Sequence, residues 1–485
     1  MPLFGERRGI LRLMKKNELI RVRITDINNL GCGVGHLENA AEDTGMTVFV
    51  RGGVTGDELE VKVIKVTKGY LVARIERVLK PSPHRIEEDL CTAALGCGGC
   101  AYRHITYQHE LDLKRQYVQN AFKKVGLAEV EVEEVRHTDS VISYRNKAQY
   151  PVQLGKDGKL QAGFYANSTH RIVPADGCRL QPEIFGEIVS FLCDFGDRHH
   201  ISAYDEETGK GLLRHIYLRI GAKTGEIMVC LVLTADRLPR EEKLIEEVQE
   251  KFPQVKSLLV NINAKNTNVV LGERYRLLWG REWIEDVLCG LKFRITPQSF
   301  YQVNHDACEL LYGLAKERAN LSGNELLLDL YCGIGSIGLS MADKAGEVLG
   351  MEIVERAARS ATENAERNGI KNAAFFCGDA SDPQGLLKRA AEEKGSLSAA
   401  VVVLDPPRKG TTAELIAGIA SYHVPRVVYV SCNPDTLARD CAVFKRFGYE
   451  IGKVTPVDLF PRTGHVESVV CLTRGFDDQC YPKNL

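Results

Sequence analysis

Two apolar, β-branched runs near the carboxyl-terminal end constrain this chain more than any other feature: VVVLDPPRKG, starting at Val401, and VVYVSCNP, ending at Pro434. Each has the length of a buried strand and stops abruptly in turn chemistry, Asp405-Pro406-Pro407 in the first and Ser431-Cys432-Asn433-Pro434 in the second. In an open parallel sheet the carboxyl edge of the strands is where ligands and chemistry collect, so an acid and a thiol delivered there mark a reaction site. Cys432 is the candidate nucleophile. A lone cysteine at a strand end is more often a small buried hydrophobe; the turn imposed by Asn433-Pro434, the acid at Asp405 and a glycine loop upstream shift the reading toward chemistry.

At 485 residues the chain exceeds one hydrophobic core and divides into about two to four domains. The formal net charge of -1 conceals a basic lead-in, in which Arg7, Arg8, Arg12, Lys15, Lys16, Arg21 and Arg23 face three acids within residues 1–30. A neutral total therefore leaves a nucleic-acid partner open, because what matters is a basic face; a solvated arm explains the charge equally well. No apolar stretch has the length of a signal-peptide core or a membrane span, so the expected location is the cytoplasm, with no membrane partner. The 15 cysteines are then reduced thiols, metal ligands or a nucleophile rather than disulfides.

Residues 18–79 read as short strands broken by Gly-rich turns (GCGVG, RGGVTGD, TKG), the spacing of a small β-barrel of a kind that often binds nucleic acid. Cys91, Cys97 and Cys100 follow in CTAALGCGGC, with Cys178 as a fourth thiol further on and Cys193 nearby. Small residues between them permit the turns that wrap a metal, and both a four-thiolate zinc site and an iron-sulfur cluster fit the spacing. YQHELDLKRQYVQNAFKKV, from Tyr107, is an amphipathic helix. A mixed α/β stretch then runs to about residue 290. In it Tyr144-Arg145-Asn146-Lys147 joins an aromatic to two cations, and His215 to Arg219 alternates as a strand; surface decoration is the default for either cluster taken alone.

The glycine loop lies in ELLLDLYCGIGSIGLSMA, an apolar strand, a turn with Gly333 and Gly335, and a helix opening near Ile337. Such a turn lets a nucleotide-like ligand approach the backbone at a helix start. Glu352 ends the next strand, where an acid suits a ribose diol, and Asp379 ends a third, in reach of an adenine edge. The pattern D-x-x-C-G-x-G differs from the dinucleotide fingerprint and fits S-adenosylmethionine better. Glu467, at the start of the last strand, is the remaining ionisable group able to return to the site.

The assembled motifs, TPQSFYQVN, DLYCGIGSIG, DPPRKG, SCNP and HVE in that order after a β-barrel and CxxxxxCGGC, resemble the RNA uridine-C5 methyltransferase family over nearly the whole chain. The resemblance implies a Rossmann-like class I methyltransferase α/β domain at 291–485, a central α/β domain at 81–290 and an OB-like TRAM barrel at 1–80. It implies a 4Fe-4S cluster on Cys91, Cys97, Cys100 and Cys178, which tips the metal question away from zinc. It puts Gln302, Tyr331, Ser336, Glu352, Asp379 and Asp405 at S-adenosyl-L-methionine and active-site positions, Cys432 as the nucleophile and Glu467 as the base; Ser336 departs from the Asn common there. The barrel and cluster together resemble the 23S rRNA enzymes more than the tRNA enzymes, and a monomer is expected. The competing readings are a cytosine-C5 methyltransferase, which resembles a different Pro-Cys context, an exocyclic-amine methyltransferase, which needs no thiol, and a cluster-containing RNA-binding regulator with a dead transferase domain.

Overall fold

The computed structural model describes residues 15–37, 46–86, 91, 96–167, 169–175, 177–382 and 384–475. Arg7, Arg8 and Arg12 of the basic lead-in lie outside these. The chain divides into two compact units. The first holds residues up to Leu90, Gly98–Tyr117 and Phe460–His465; the second holds Cys91–Cys97, Val118–Leu459 and the chain from Val466 onward.

In the first unit, β1 (Leu19–Ile27), β2 (Cys32–Leu37), β3 (Thr47–Arg51), β4 (Glu58–Val66) and β5 (Tyr70–Lys80) close into a barrel in the order β1-β2-β3-β5-β4. LIRVRITDI shows why: alternate side chains, Ile20, Val22 and Ile24, point into a core with Val48, Val50, Leu59, Val61 and Leu71. Asp57 is wholly buried and satisfied, accepting from the Val54 N–H at 2.7 Å and the Ser82 N–H at 2.9 Å, and pairing with Arg85. The expected helix from Tyr107 is α1 (Tyr107–Lys124).

The second unit carries two large sheets. One has seven strands: β6 (Lys147–Leu154), β7 (Leu160–Tyr165), β8 (Ile172–Pro174), β9 (Leu213–Ile220), β10 (Ile227–Leu233), β11 (Val255–Ile262) and β12 (Arg274–Gly280), ordered β12-β11-β10-β9-β6-β7-β8. Phe185, Phe191 and Phe195 of α2 (Glu183–Arg198) share a core with these strands, as does Leu244 of α3 (Glu241–Lys251). The stretch from His215 to Arg219 differs from the surface expectation. β9 is buried along almost its whole length, and Arg219 is 0% exposed, its two Nη groups donating to backbone carbonyls while its Nε has no hydrogen-bond partner.

A hairpin, β13 (Ile284–Leu288) with β14 (Leu291–Ile295), precedes α4 (His305–Ala319). Asn304 caps α4, accepting from the Ala307 N–H. The second sheet follows, with eight strands. β15 (Leu326–Leu330), β16 (Glu347–Glu352), β17 (Ala373–Cys377), β18 (Ala400–Leu404) and β19 (Arg426–Ser431) are parallel. Between them run α5 (Ser336–Met341), α6 (Glu355–Arg367), α7 (Leu386–Lys394) and α8 (Ala413–Ser421). After α9 (Pro434–Arg446), β20 (Tyr449–Ile451), β21 (Thr455–Val457) and β22 (Glu467–Arg474) finish the sheet. The order is β17-β16-β15-β18-β19-β22-β20, with β21 beside β22. AVVVL of β18 is buried at every residue, as expected of a parallel strand covered on both faces. The chain winds outward from β15 to β17 and then returns to the other side of β15, so the switch point of the sheet lies between β15 and β18. Among the described residues, no helix is long and apolar enough to cross a membrane.

Candidate active site

β15 runs into the glycine loop at this switch point, β18 into Asp405, and β19 into Cys432. Tyr331, Gly333 and Gly335 have φ of 68°, 58° and 81°, in the left-handed region. The turn brings the backbone in closely: a Cβ on Gly338 would stand 2.7 Å from Asp329 Oδ2, which instead accepts the Gly338 N–H at 2.8 Å. Burial pushes Asp329 up to about 7, and its Oδ1 has no hydrogen-bond partner.

Glu352 ends β16 with both oxygens engaged, one accepting the Gly333 N–H at 3.1 Å and the other the Val354 N–H at 2.9 Å. The next two residues, Ile353 and Val354, are 66% and 55% exposed, an apolar edge beside an acid. Asp379 is exposed, and the Ser381 hydroxyl and N–H, at 2.7 and 2.9 Å from its Oδ1, hold its carboxyl below the ordinary range. The Tyr331 hydroxyl meets that of Thr411 at 3.1 Å, and the Ser336 hydroxyl that of Tyr312 at 2.9 Å. Gln302 is buried, its carbonyl accepting from Asn146 Nδ2 at 2.9 Å. A close-approach turn, a carboxylate at a strand end and an apolar edge together fit a ligand that carries a nucleoside.

The other side of the switch point is built differently. β19 and β22 are antiparallel and pair up to Ser431 with Ser468, so one further step of the register sets Cys432 across from Glu467. On the opposite edge of β22, Glu467 pairs with Val457. Glu467 is buried, and burial pushes its carboxyl up to about 8, with Asp405 adding and Arg408 opposing. Asp405 is pushed up to about 7 by burial, although part of the residue reaches solvent. Cys432 is half-buried. Desolvation first, then Glu467 and Asp405, push its thiol up to about 11, while Arg408 works the other way.

The loop bearing Arg408 is pinned to α9. Asn433 Nδ2 and Thr436 Oγ1 donate to the Arg408 carbonyl at 3.0 and 3.3 Å, and Arg439 donates to the Lys409 carbonyl at 2.9 Å. Buried Asp440 accepts the Thr411 N–H at 2.9 Å and the Tyr429 hydroxyl at 2.6 Å. A thiol, two acids with raised carboxyls and one cation are thus gathered at the neighbouring ends of β18, β19 and β22, where burial and the acids oppose the thiolate, the cation favours it, and a proton can pass between the groups.

Three residues escaped the sequence reading. Tyr312 orients Ser336 from a helix whose motif gave no hint of it. Phe300, inside TPQSFYQVN, is 68% exposed just before the buried run Tyr301 to Asn304, and nothing in the motif marks it apart from the neighbouring aromatic Tyr301. Arg219, in a strand expected at the surface, is wholly buried. Tyr144, which with Arg145 and Lys147 suggested a stacking cluster, is buried. A groove of ≈ 960 Å³ lined by His199, Arg237, Arg240 and Arg276 shares no lining residue with these strand ends.

The expected four-cysteine site is not shown. Cys97 makes an isolated β-bridge with Ala166, and the Cys178 thiol is raised first by burial and then by Cys97 and Cys91. Yet among the described residues no group of three or more His, Cys, Asp or Glu side chains is arranged to hold a metal ion. The cluster is therefore not shown, and no chemistry is routed through it.

Comparison with known proteins adds three findings. The family of tRNA (uracil-5-)-methyltransferases matches residues 106–475, and the TRAM domain matches residues 14–75. An "uncharacterized RNA methyltransferase" of Clostridium tetani is 41% identical over 95% of this chain and 97% of its own, and one of Bacillus cereus is 40% identical over 95% and 98%. The crystal structure of Pyrococcus abyssi tRNA (uracil-54, C5)-methyltransferase in complex with S-adenosyl-L-homocysteine superposes with a TM-score of 0.73 at 27% identity, covering 94% of this chain and 99% of that one.

Proposed function

This chain belongs to the tRNA (uracil-5-)-methyltransferase family of S-adenosylmethionine-dependent RNA methyltransferases, and from that premise we propose that it methylates C5 of a uridine in 23S rRNA through a transient bond between Cys432 and C6 of the base. The observation that carries the reading is the strand register that sets Cys432 across from Glu467, with Asp405 at the adjoining strand end. In this reading residues 1–80 form the RNA-binding barrel, 81–290 the central domain and 291–485 the catalytic domain.

Uracil C5 is too weak a nucleophile to accept a methyl group unaided, and a thiolate adding at C6 makes C5 carbanion-like. Cys432 supplies that thiolate. Burial and two neighbouring acids oppose its ionisation, so its proton must leave before the sulfur attacks; Arg408 is the cation that favours the charged form. S-adenosylmethionine, when bound, supplies the methyl group. Gln302, Tyr331, Ser336, Glu352 and Asp379 would hold it, with Glu352 and the exposed Ile353–Val354 edge suited to its ribose and adenine. Glu467 then takes the C5 proton. The electron pair of that C–H bond forms the C5–C6 double bond as the C6–S bond breaks, returning the thiolate. Its raised carboxyl suits a base working near neutral pH. Asp405 orients the ring.

A target base inside folded RNA must be extruded to reach a half-buried thiol. Phe300, an exposed aromatic two residues from Gln302, is placed to stack on a base. A 4Fe-4S cluster on Cys91, Cys97, Cys100 and Cys178 stays within the proposal on donor chemistry alone, and iron and sulfide determination on anaerobically purified protein tests it.

A tRNA target is the second reading, favoured by the P. abyssi tRNA enzyme matching along 94% of this chain. Mapping 5-methyluridine in 23S rRNA and tRNA from cells lacking the protein decides between them. Loss of the mark from 23S rRNA supports the first reading, loss from tRNA the second, and no loss from either refutes both.

A further inference from the structure

Arg219 heads the wholly buried side chains by volume, and among the described residues it makes no ion pair. A guanidinium taken out of water is costly unless its donors are used. Here Nη1 donates to the Ser299 carbonyl at 2.9 Å and Nη2 to the Tyr301 carbonyl at 2.8 Å, with the group 5.5 Å from the Tyr301 ring centroid. Asn146 continues the grip: its Nδ2 donates to the Gln302 carbonyl at 2.9 Å and its N–H to the Val303 carbonyl at 2.8 Å. Asn146 is itself fixed to β9, its carbonyl accepting the Ile220 N–H at 2.9 Å. The Tyr301 hydroxyl donates to buried Asp286 at 3.1 Å.

Four carbonyls, those of Ser299, Tyr301, Gln302 and Val303, are therefore held from the seven-stranded sheet. Tyr301, Gln302, Val303 and Asn304 are all buried at 8% exposure or less, while Phe300 alone stands 68% exposed. A fully buried cation spent on two loop carbonyls is a large outlay for an ordinary connection; a charged donor binds a carbonyl about twice as strongly as a neutral one and fixes its direction.

We propose that Arg219, assisted by Asn146, is a positioning residue for substrate RNA: it locks the 299–304 loop so that Phe300 projects to engage a nucleobase while Gln302 stays turned inward. The proposal rests on the RNA methyl-transfer reading above. Arg219 touches neither base nor cofactor, and its effect passes through Phe300.

A double-mutant cycle on the full-length enzyme tests this, using an RNA transcript that the wild type methylates. Arg219→Met is expected to lower kcat/KM for RNA about tenfold or more, with S-adenosylhomocysteine affinity within about twofold of wild type; in a Phe300→Ala background the same change should cost no more than about twofold, because the group it acts through is gone. Equal losses in the two backgrounds, or no loss in the first, overturn the proposal. Asn146→Ala and Arg219→Lys are run through the same cycle, and they decide the outcome if Arg219→Met fails to fold. The cycle is repeated with RNA affinity as the readout. A protein that leaves uridine C5 unmethylated but still shows the coupling in RNA affinity refutes the methyl-transfer reading alone; absence of coupling in both readouts refutes the positioning role.

Discussion

The two sides of the switch point differ in the carboxylates they expose to a ligand. On the glycine-loop side, where Asp329 stays buried beneath the turn, Glu352 has each oxygen tied to a backbone N–H and Asp379 is exposed, with Ser381 holding its carboxyl below the ordinary range. On the other side Asp405 and Glu467 are pushed up by burial and crowd the Cys432 thiol. One sheet edge thus makes two kinds of acid. Hydrogen bonds to the charged form prepare a carboxylate to hold hydroxyls, and desolvation prepares one to carry a proton. For Glu467 the strand register brings this about, since it is buried by standing between β19 and β21.

The contrast is broken most severely by removing the sulfur. Cys432→Ala should abolish 5-methyluridine formation, a loss of at least about a thousandfold, while S-adenosylhomocysteine affinity measured by calorimetry stays within about twofold. Glu467→Gln, which keeps shape and removes the base, should slow turnover by about a hundredfold to ten-thousandfold in a methyl-transfer assay. Glu352→Ala acts on the other side: it should weaken cofactor binding by about tenfold or more and spare kcat at saturating cofactor.

A smaller effect separates the two kinds of acid by pH. Glu467 has a folded value raised from 4.5 to about 8, so the folded state holds a proton that the unfolded state has already lost across that window. Its contribution to stability is therefore intact below the lower value and falls as pH rises to the upper one, by at most about 1.4 kcal/mol per pH unit. Urea titrations of Glu467→Gln should show a shallower decline than wild type between those limits. The Asp379→Asn variant, at a site whose acid is lowered and exposed, should keep the wild-type slope there.

The eight-stranded sheet was legible because its strands announce themselves. LLLDL, VVVL and VVYV are apolar runs that end in glycine, proline or polar turns, and the barrel strands alternate cleanly, as LIRVRITDI does. The central region was harder to read. LRHIYLRI alternates like a half-exposed strand, yet Arg214, His215 and Arg219 are buried, the Nη groups of the two arginines donating to distant carbonyls at Asn263, Lys265, Ser299 and Tyr301. Periodicity cannot foresee an acceptor eighty residues away. Glu467 is a candidate through the chemistry a C5 methyl transfer requires and through family resemblance; its burial and its place across from Cys432 come from strand pairing that no local pattern encodes.

The most direct test is the mass of Glu467→Gln after reaction with substrate RNA and S-adenosylmethionine under denaturing conditions. A covalent protein–RNA species carrying one added methyl group is expected, and it should be absent when Cys432→Ala is combined with Glu467→Gln. No such species, or one that survives loss of the cysteine, would contradict the bond between Cys432 and the pyrimidine.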